Sequence, residues 1–219
     1  PQYLPDGRIV FSSTRQTQTA EVLIDEGRGQ FTVPEESRNE SAFLLHVMND
    51  DGGDIHQITF GNSHDFYPSI LSNGQIMFSR WMQGSTIDQL DIYRVNPDGT
   101  GIELLYGSKS HFTGTDQNFI EFIQPRQAED GKVIAIIRPR FGTYEAGQVI
   151  AIDVNNFVEN TQQLATSFSS LGPAQNAVSI NDVNTEPGSS LGGRYASAFP
   201  LWDGTSRVLV SWAPCLGYN

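Results

Sequence analysis

The feature that most constrains this sequence is a corner that keeps returning. A proline, a few residues, then Asp-Gly or Asn-Gly and an apolar run occur three times. The copies are Pro1…Asp6-Gly7-Arg8-Ile9-Val10-Phe11, Pro68…Asn73-Gly74-Gln75-Ile76-Met77-Phe78 and Pro125…Asp130-Gly131-Lys132-Val133-Ile134-Ala135. Pro200-Leu201-Trp202-Asp203-Gly204, followed by the apolar run 207–212, is a fourth. Glycine accepts positive φ, and Asp or Asn bonds its own backbone two residues on, so each copy reads as a tight reversal entering a strand. A second turn follows at Asp51-Gly52, Asp98-Gly99 and Asn155-Asn156. Gly74 to Gly99 and Gly131 to Asn156 are each 25 residues, whereas Gly7 to Gly52 is 45. The first unit thus carries about twenty extra residues, visible as the polar stretch 16–40 with Gly27, Gly29 and Pro34.

The best-marked unit spans His64 to Gly107. It reads as four strands, 66–71, 75–81, 90–96 and 102–106, closed in turn by Ser72-Asn73-Gly74 and Pro97-Asp98-Gly99. Four antiparallel strands in about forty residues make one blade of a β-propeller. The expected fold is all-β: a propeller segment of about three four-stranded blades plus partial strands. The units fall near 1–60, 61–108, 109–164 and a partial 194–219, with insertions at 16–40 and 165–194. Successive corner glycines lie 67, 57 and 73 residues apart, beyond the roughly 40–45 of a plain repeat, so the stretches 110–118 and 165–194 are expected as long surface loops. No stretch holds a 3.6-residue apolar period over three turns, so little helix is expected. Propellers close with about 4–8 blades, which makes a piece of a larger ring and of a longer polypeptide the expectation.

Charge narrows the partners. With 25 acidic against 13 basic residues the net charge is −12, a surface that repels phosphate backbones and anionic lipid. Nucleic acid is excluded as a partner, and no apolar run reaches the about 18 residues of a membrane-spanning helix. The single cysteine, Cys215, has no partner for a disulfide inside the sequence.

Several residue groups could carry chemistry. His64 with Asp65 and His111 with Asp116 sit where inter-blade loops are expected, and histidine plus carboxylate suits a divalent ion. The plainer alternative is that each fixes its own loop by hydrogen bonds. Arg80 and Arg138, with Arg15, end corresponding strands and could form a column that grips an anion through bidentate bonds. The alternative is salt bridging to the abundant acids. These six residues, His64, Asp65, Arg80, His111, Asp116 and Arg138, are the binding candidates; neither a catalytic set nor a metal-ligand set is assigned. His46 and His56 read as structural. Asn49-Asp50-Asp51-Gly52-Gly53-Asp54 has the look of a calcium loop, but its twelfth position is Phe60 and its counterpart in the next unit is Asn96-Pro97-Asp98-Gly99, so it reads as a turn. Gly188-Ser189-Ser190-Leu191-Gly192 matches a nucleophile pattern that needs a strand before it and a helix after, and it lies in the most loop-like stretch. Asn39-Glu40-Ser41 is a glycosylation triplet that matters only in a secretory host.

The signature Leu4-Pro5-Asp6-Gly7-Arg8-Ile9-Val10-Phe11-Ser12-Ser13, with Val47-Met48-Asn49-Asp50-Asp51-Gly52-Gly53 and Gln57-Ile58-Thr59, resembles TolB-like propeller repeats. A closer likeness is to the propeller of hydrazine synthase alpha subunit-like proteins. It is carried by Ser63-His64-Asp65, Asn96-Pro97-Asp98-Gly99-Thr100-Gly101, Leu105-Tyr106-Gly107, Ser110-His111 with Thr113-Gly114-Thr115, and Phe122-Ile123-Gln124-Pro125-Arg126. Gly192-Gly193-Arg194-Tyr195, Pro200-Leu201-Trp202-Asp203-Gly204 and Val210-Ser211-Trp212 extend it over most of the chain. The resemblance implies a non-catalytic scaffold or protein-interaction module of an exported bacterial protein, periplasmic or extracellular. Its partner would be another protein or a neighbouring domain of the same polypeptide. The alternative it implies is the propeller subdomain of a c-type haem oxidoreductase whose catalytic part lies outside this chain. Haem attachment needs Cys-x-x-Cys-His, which one cysteine cannot supply, so no cofactor is expected here and any c-type haem would belong to the parent protein.

Overall fold

A computed structural model describes residues 1–15, 34–37, 39–84, 88–142, 145–167 and 172–214. Most of the 16–40 insertion, and Cys215, lie outside the described residues. The chain divides into two compact units, Pro1–Glu103 and Leu104–Asn219.

Sheet one runs β1 (Gln2–Tyr3), β2 (Ile9–Ser13), β3 (Leu44–Met48) and β4 (His56–Gln57) in that order. Sheet two runs β5 (His64–Ile70), β6 (Ile76–Met82), β7 (Gln89–Val95) and β8 (Glu103–Tyr106), again in chain order. The third sheet begins the same way with β9 (Ile120–Gln127), β10 (Val133–Pro139) and β11 (Gln148–Ile152). A small hairpin then intervenes, β12 (Phe157–Glu159) with β13 (Gln162–Gln163), and the outer strand is β14 (Gln175–Ala177). The last sheet has two strands, β15 (Arg194–Pro200) and β16 (Val208–Ala213). One 3-10 turn, Thr115–Gln117, is the helical content among the described residues, and no helix there is long and apolar enough to cross a membrane.

The recurring corners are built alike. The glycine N–H bonds the carbonyl three residues back, Gly7 to Leu4 at 3.0 Å, Gly74 to Leu71 at 2.8 Å and Gly131 to Ala128 at 2.9 Å. The residue before each glycine accepts from the backbone N–H after it: Asp6 from Arg8 at 3.1 Å, Asn73 from Gln75 at 3.0 Å, Asp130 from Lys132 at 3.1 Å. The three glycines share φ of +89°, +85° and +84°, a region costly for any residue with a Cβ. The corner's proline has a reason too. Pro68 and Pro125 sit in bulges where the β5–β6 and β9–β10 registers shift, each preceded by a residue at positive φ, Tyr67 at 54° and Gln124 at 52°. Proline has no N–H for the ladder, so a bulge is where a strand can hold it.

One expected loop proves to be partly strand. The stretch 165–194 supplies β14, which pairs with β11 through Ile150–Ala177 and Ile152–Gln175. The physical reason is that 157–163 folds back on itself as the β12–β13 hairpin, leaving the outer edge of the third sheet to a later segment.

In the first unit the core lies between sheets one and two. Leu4, Val10, Leu45, Val47 and Ile58 meet Ile76, Phe78 and Val95, with Ile70 and Tyr93 packed at the margin. The third sheet is apolar on both faces of its middle strands, with Val133, Ala135 and Ile136 fully buried, as expected of strands covered on two sides. Within the second unit the β15–β16 loop is tied to the third sheet: Trp202 Nε1 donates to the Gln127 carbonyl at 3.1 Å and the Gly204 N–H to Glu129 at 2.9 Å.

Candidate functional site

Arg80 and Asp65 are opposite one another across β5–β6. Arg80 Nε donates to Asp65 Oδ1 at 2.7 Å and the Nη2 to Oδ2 at 2.9 Å, a bidentate pair with Asp65 fully buried. On the other side of Arg80 the register brings Asp91 of β7, also buried. Asp91 accepts from the Gln89 amide at 3.1 Å. The guanidinium lies 5.1 Å from the Tyr93 ring centre and 5.5 Å from that of Phe78, where the π faces favour a cation. Burial raises the Asp65 pKa and Arg80 only partly offsets it, yet Arg80 itself is held above its ordinary value against burial by Asp65. Two short parallel N–H···O bonds need a carboxylate to receive them, so the pair is ionised.

Arg138 repeats the arrangement with different surroundings. Its Nε and Nη2 both reach Glu121 Oε2 at 2.8 Å across β9–β10, and its Nη1 meets Glu145. Glu121 is buried whereas the Glu145 side chain is 63% exposed. Both arginine forks are occupied by carboxylates of their own unit, which is the salt-bridge alternative rather than an anion column. The register also corrects the column. Arg80 is six residues beyond Gly74 and Arg138 seven beyond Gly131; an offset of one along a strand turns a side chain to the opposite face. Arg15 is exposed.

The histidines stand elsewhere than a loop-borne metal site would need. His64 and Asp65 are the first two residues of β5 rather than loop residues, both fully buried, and alternation sends them to opposite faces. His64 Nδ1 accepts from the Phe43 N–H at 3.1 Å, while its Nε2 is buried, 3.5 Å from a Glu40 oxygen and without a hydrogen bond. Its ring stacks on Phe66 at 5.3 Å and lies beside Phe43 and Trp81. His111 is buried as well, donating from Nδ1 to the Ile120 carbonyl at 2.6 Å and stacked on Phe119 at 4.9 Å. Asp116 lies in the 3-10 turn with φ of 51°. His46 donates to the Leu44 carbonyl at 2.9 Å and stacks on Phe11, and His56 to that of Asp54 at 3.0 Å. Among the described residues no three His, Cys, Asp or Glu side chains converge.

Two sequence patterns resolve as turns. Asn49–Asp54 closes through Gly52 N–H to the Asn49 carbonyl and Gly53 N–H to Asp51. In the Gly188–Gly192 pattern Ser190 is buried, donates to the Gly193 carbonyl at 2.8 Å and accepts from the Asn184 N–H at 2.9 Å. Its hydroxyl is a loop fastener.

What the sequence did not single out is a cavity of about 340 Å³ in the second unit. Its lining mixes apolar Ile137, Ile150, Ala177 and Val183 with hydrogen-bonding Thr113, Thr115, Gln148, Gln175, Ser179 and Thr185. The mouth is fastened by Thr115 N–H to Thr185 Oγ1 at 2.7 Å, Thr185 N–H to Thr115 Oγ1 at 3.1 Å and the Asn118 amide to the Thr185 carbonyl at 2.6 Å. The signal available in the sequence was Gln148, a polar residue opening the apolar run Val149-Ile150-Ala151-Ile152.

Sheets of short antiparallel strands following in chain order, joined by repeated corners, define an all-β propeller segment. A solved structure from Kuenenia stuttgartiensis, hydrazine synthase, is similar to the chain with a TM-score of 0.64 and 20% identity, over 94% of this chain and 25% of that one. At that identity the likeness shows the fold, and the chain spans about a quarter of that relative. No family model matches the chain, and none of the curated proteins does.

Proposed function

We propose that this chain is a non-catalytic scaffold, a protein-interaction module of an exported bacterial protein that works in the periplasm or outside the cell. The observation that carries the reading is the last sheet. β16 has β15 on one side and, among the described residues, no strand on the other. Its sequence Val208-Leu209-Val210-Ser211-Trp212-Ala213 contains neither charge nor proline, and Leu209 and Trp212 are 65% and 46% exposed. Sheet edges left to face water carry lysines, prolines or bulges that block pairing. An edge without them suits an added strand, whose backbone supplies affinity while the apolar side chains supply specificity. The occupant is a strand of a protein partner or of a neighbouring domain. The buried charges fit the same reading, since Arg80 and Arg138 are committed to Asp65 and Glu121 and hold the sheets rather than a substrate. The Leu4–Ser13 signature supports a TolB-like kinship for the repeats.

Hydrogen exchange tests it. In the isolated chain the outward amides of β16 exchange rapidly; in the native assembly purified from the producing cells they slow by at least about tenfold. Equal exchange in both states overturns the reading. A second reading, the propeller subdomain of a c-type haem oxidoreductase with its redox centre outside this chain, rests on the structural likeness to hydrazine synthase. A Cys-x-x-Cys-His motif elsewhere in the same gene product, with haem in the purified whole, decides for it.

A further inference from the structure

We propose that the cavity of the third sheet binds a small uncharged polyol of monosaccharide size. Two of its lining residues each carry a buried polar atom without a hydrogen bond: the Gln148 amide oxygen and the Ser179 hydroxyl. Gln148 is 8% exposed. The two are neighbours by register. Ile150 pairs with Ala177, and the Val178 N–H donates to the Val149 carbonyl at 3.0 Å, carrying the ladder one step further. Gln148 then lies opposite Ser179, and Ile137 of β10 lies opposite Gln148 on its other side. Buried polar groups in folded proteins almost always have a partner, so two orphaned neighbours just beneath the lining of a polar space mark where a ligand's donors and acceptors belong once either side chain turns toward it.

The lining selects the chemistry. Apolar Ile137, Ile150 and Val183 interleaved with hydroxyls and amides on the same lining match a molecule with C–H faces and hydroxyl groups. The one charged lining residue, Asp182, is exposed, so nothing buried there complements an anion or a cation. The volume lies at the low end of ligand pockets, which span about 300–1,000 Å³, and so admits a single ring. The proposal does not depend on the scaffold reading.

The test titrates the purified chain separately with D-glucose, D-galactose and myo-inositol, followed by amide chemical shifts. The expected result is saturable shifts for at least one probe, centred on Gln148, Ser179 and Thr185. Gln148→Leu and Ser179→Ala should each weaken that Kd by roughly tenfold, the share of one hydrogen-bonding group. Both variants should keep the thermal midpoint of the parent or raise it, because they remove an unpartnered polar atom. Failure of all three probes to give saturable shifts well above millimolar concentration overturns the proposal. So does a Kd that neither substitution moves, or saturation of the same residues by calcium alone.

Discussion

Sheets two and three begin from the same corner and then spend one equivalent row of the ladder in opposite ways. Counted from the turn glycine, Ile76 matches Val133, so the row Asp65–Arg80–Asp91 matches Phe122–Ile137–Gln148. In sheet two that row is a buried acid paired with an arginine, with a second buried acid opposite in register. In sheet three it is an aromatic, an aliphatic and an amide that lines a cavity and whose oxygen has no partner. The acid–arginine pair of sheet three, Glu121 with Arg138, lies one step along, matching His64 and Trp81. A shared backbone repeat therefore fixes where side chains can go and not which chemistry occupies them. Sheet two fills its polar row with its own charges, and sheet three leaves its polar row for something else to fill.

The largest expected effect tests the filled row. Arg80→Ala leaves Asp65 buried without its bidentate cation, and breaking a buried pair in this way costs about 3–5 kcal/mol. The double variant Asp65→Leu/Arg80→Met removes the charges together and should recover most of that loss, since apolar replacements of a buried pair are often neutral or better. Urea denaturation of both variants checks this. A single variant that costs less than about 1 kcal/mol would mean water already reaches the pair, and the contrast with sheet three would dissolve.

The next effect concerns a buried ring that, like the Gln148 amide, has a polar atom without a partner. His46 is fully buried, with Nδ1 on the Leu44 carbonyl and Nε2 unbonded. Burial lowers its pKa below the ordinary 6.5, only partly opposed by the Leu44 carbonyl and the Arg15 backbone, and the charges of Arg15 and His56 push the same way as burial. Between the folded and unfolded pKa values the unfolded chain holds more protons, so stability rises with pH there. The contribution is fully present above about pH 6.5 and is lost as pH falls toward the folded value, at a slope of up to about 1.4 kcal/mol per pH unit for one proton. His46→Leu should flatten that slope between pH 7.5 and pH 5. A slope unchanged by the substitution would assign it elsewhere.

Much of the fold was legible because corners are local chemistry. Asp6-Gly7, Asn73-Gly74 and Asp130-Gly131 dictate a reversal from a few residues, and the strands following them alternate or run apolar as a covered sheet requires. The rest was hidden or misleading for physical reasons. The outer strand of the third sheet is Gln175–Ala177, a short polar segment set there by a distant ladder rather than by any pattern of its own. The facing of the arginines was legible but easily misread: Gly74 to Arg80 is an even step and Gly131 to Arg138 an odd one, and parity decides the face. Gln148 shows the limit. Its residue type is ordinary at a strand end, and only the register that sets it opposite Ser179 reveals that neither side chain has a partner.

The smallest expected effect separates the two acid–arginine pairs from each other. Arg80 grips buried Asp65, while Arg138 stands between buried Glu121 and largely exposed Glu145. Glu145→Ala removes an acid that solvent already screens, so it should cost about 0.2–1 kcal/mol, the range of exposed ion pairs, and raising salt should shrink the cost further. Arg138→Ala should fall between this and Arg80→Ala at about 1–3 kcal/mol, because Arg138 grips one oxygen of Glu121 whereas Arg80 grips both oxygens of Asp65. Denaturation midpoints in low and high salt measure both. If Glu145→Ala costs as much as Arg138→Ala, the outer acid is holding the pair in place. Sheet three would then hold its arginine between two acids where sheet two holds it on one.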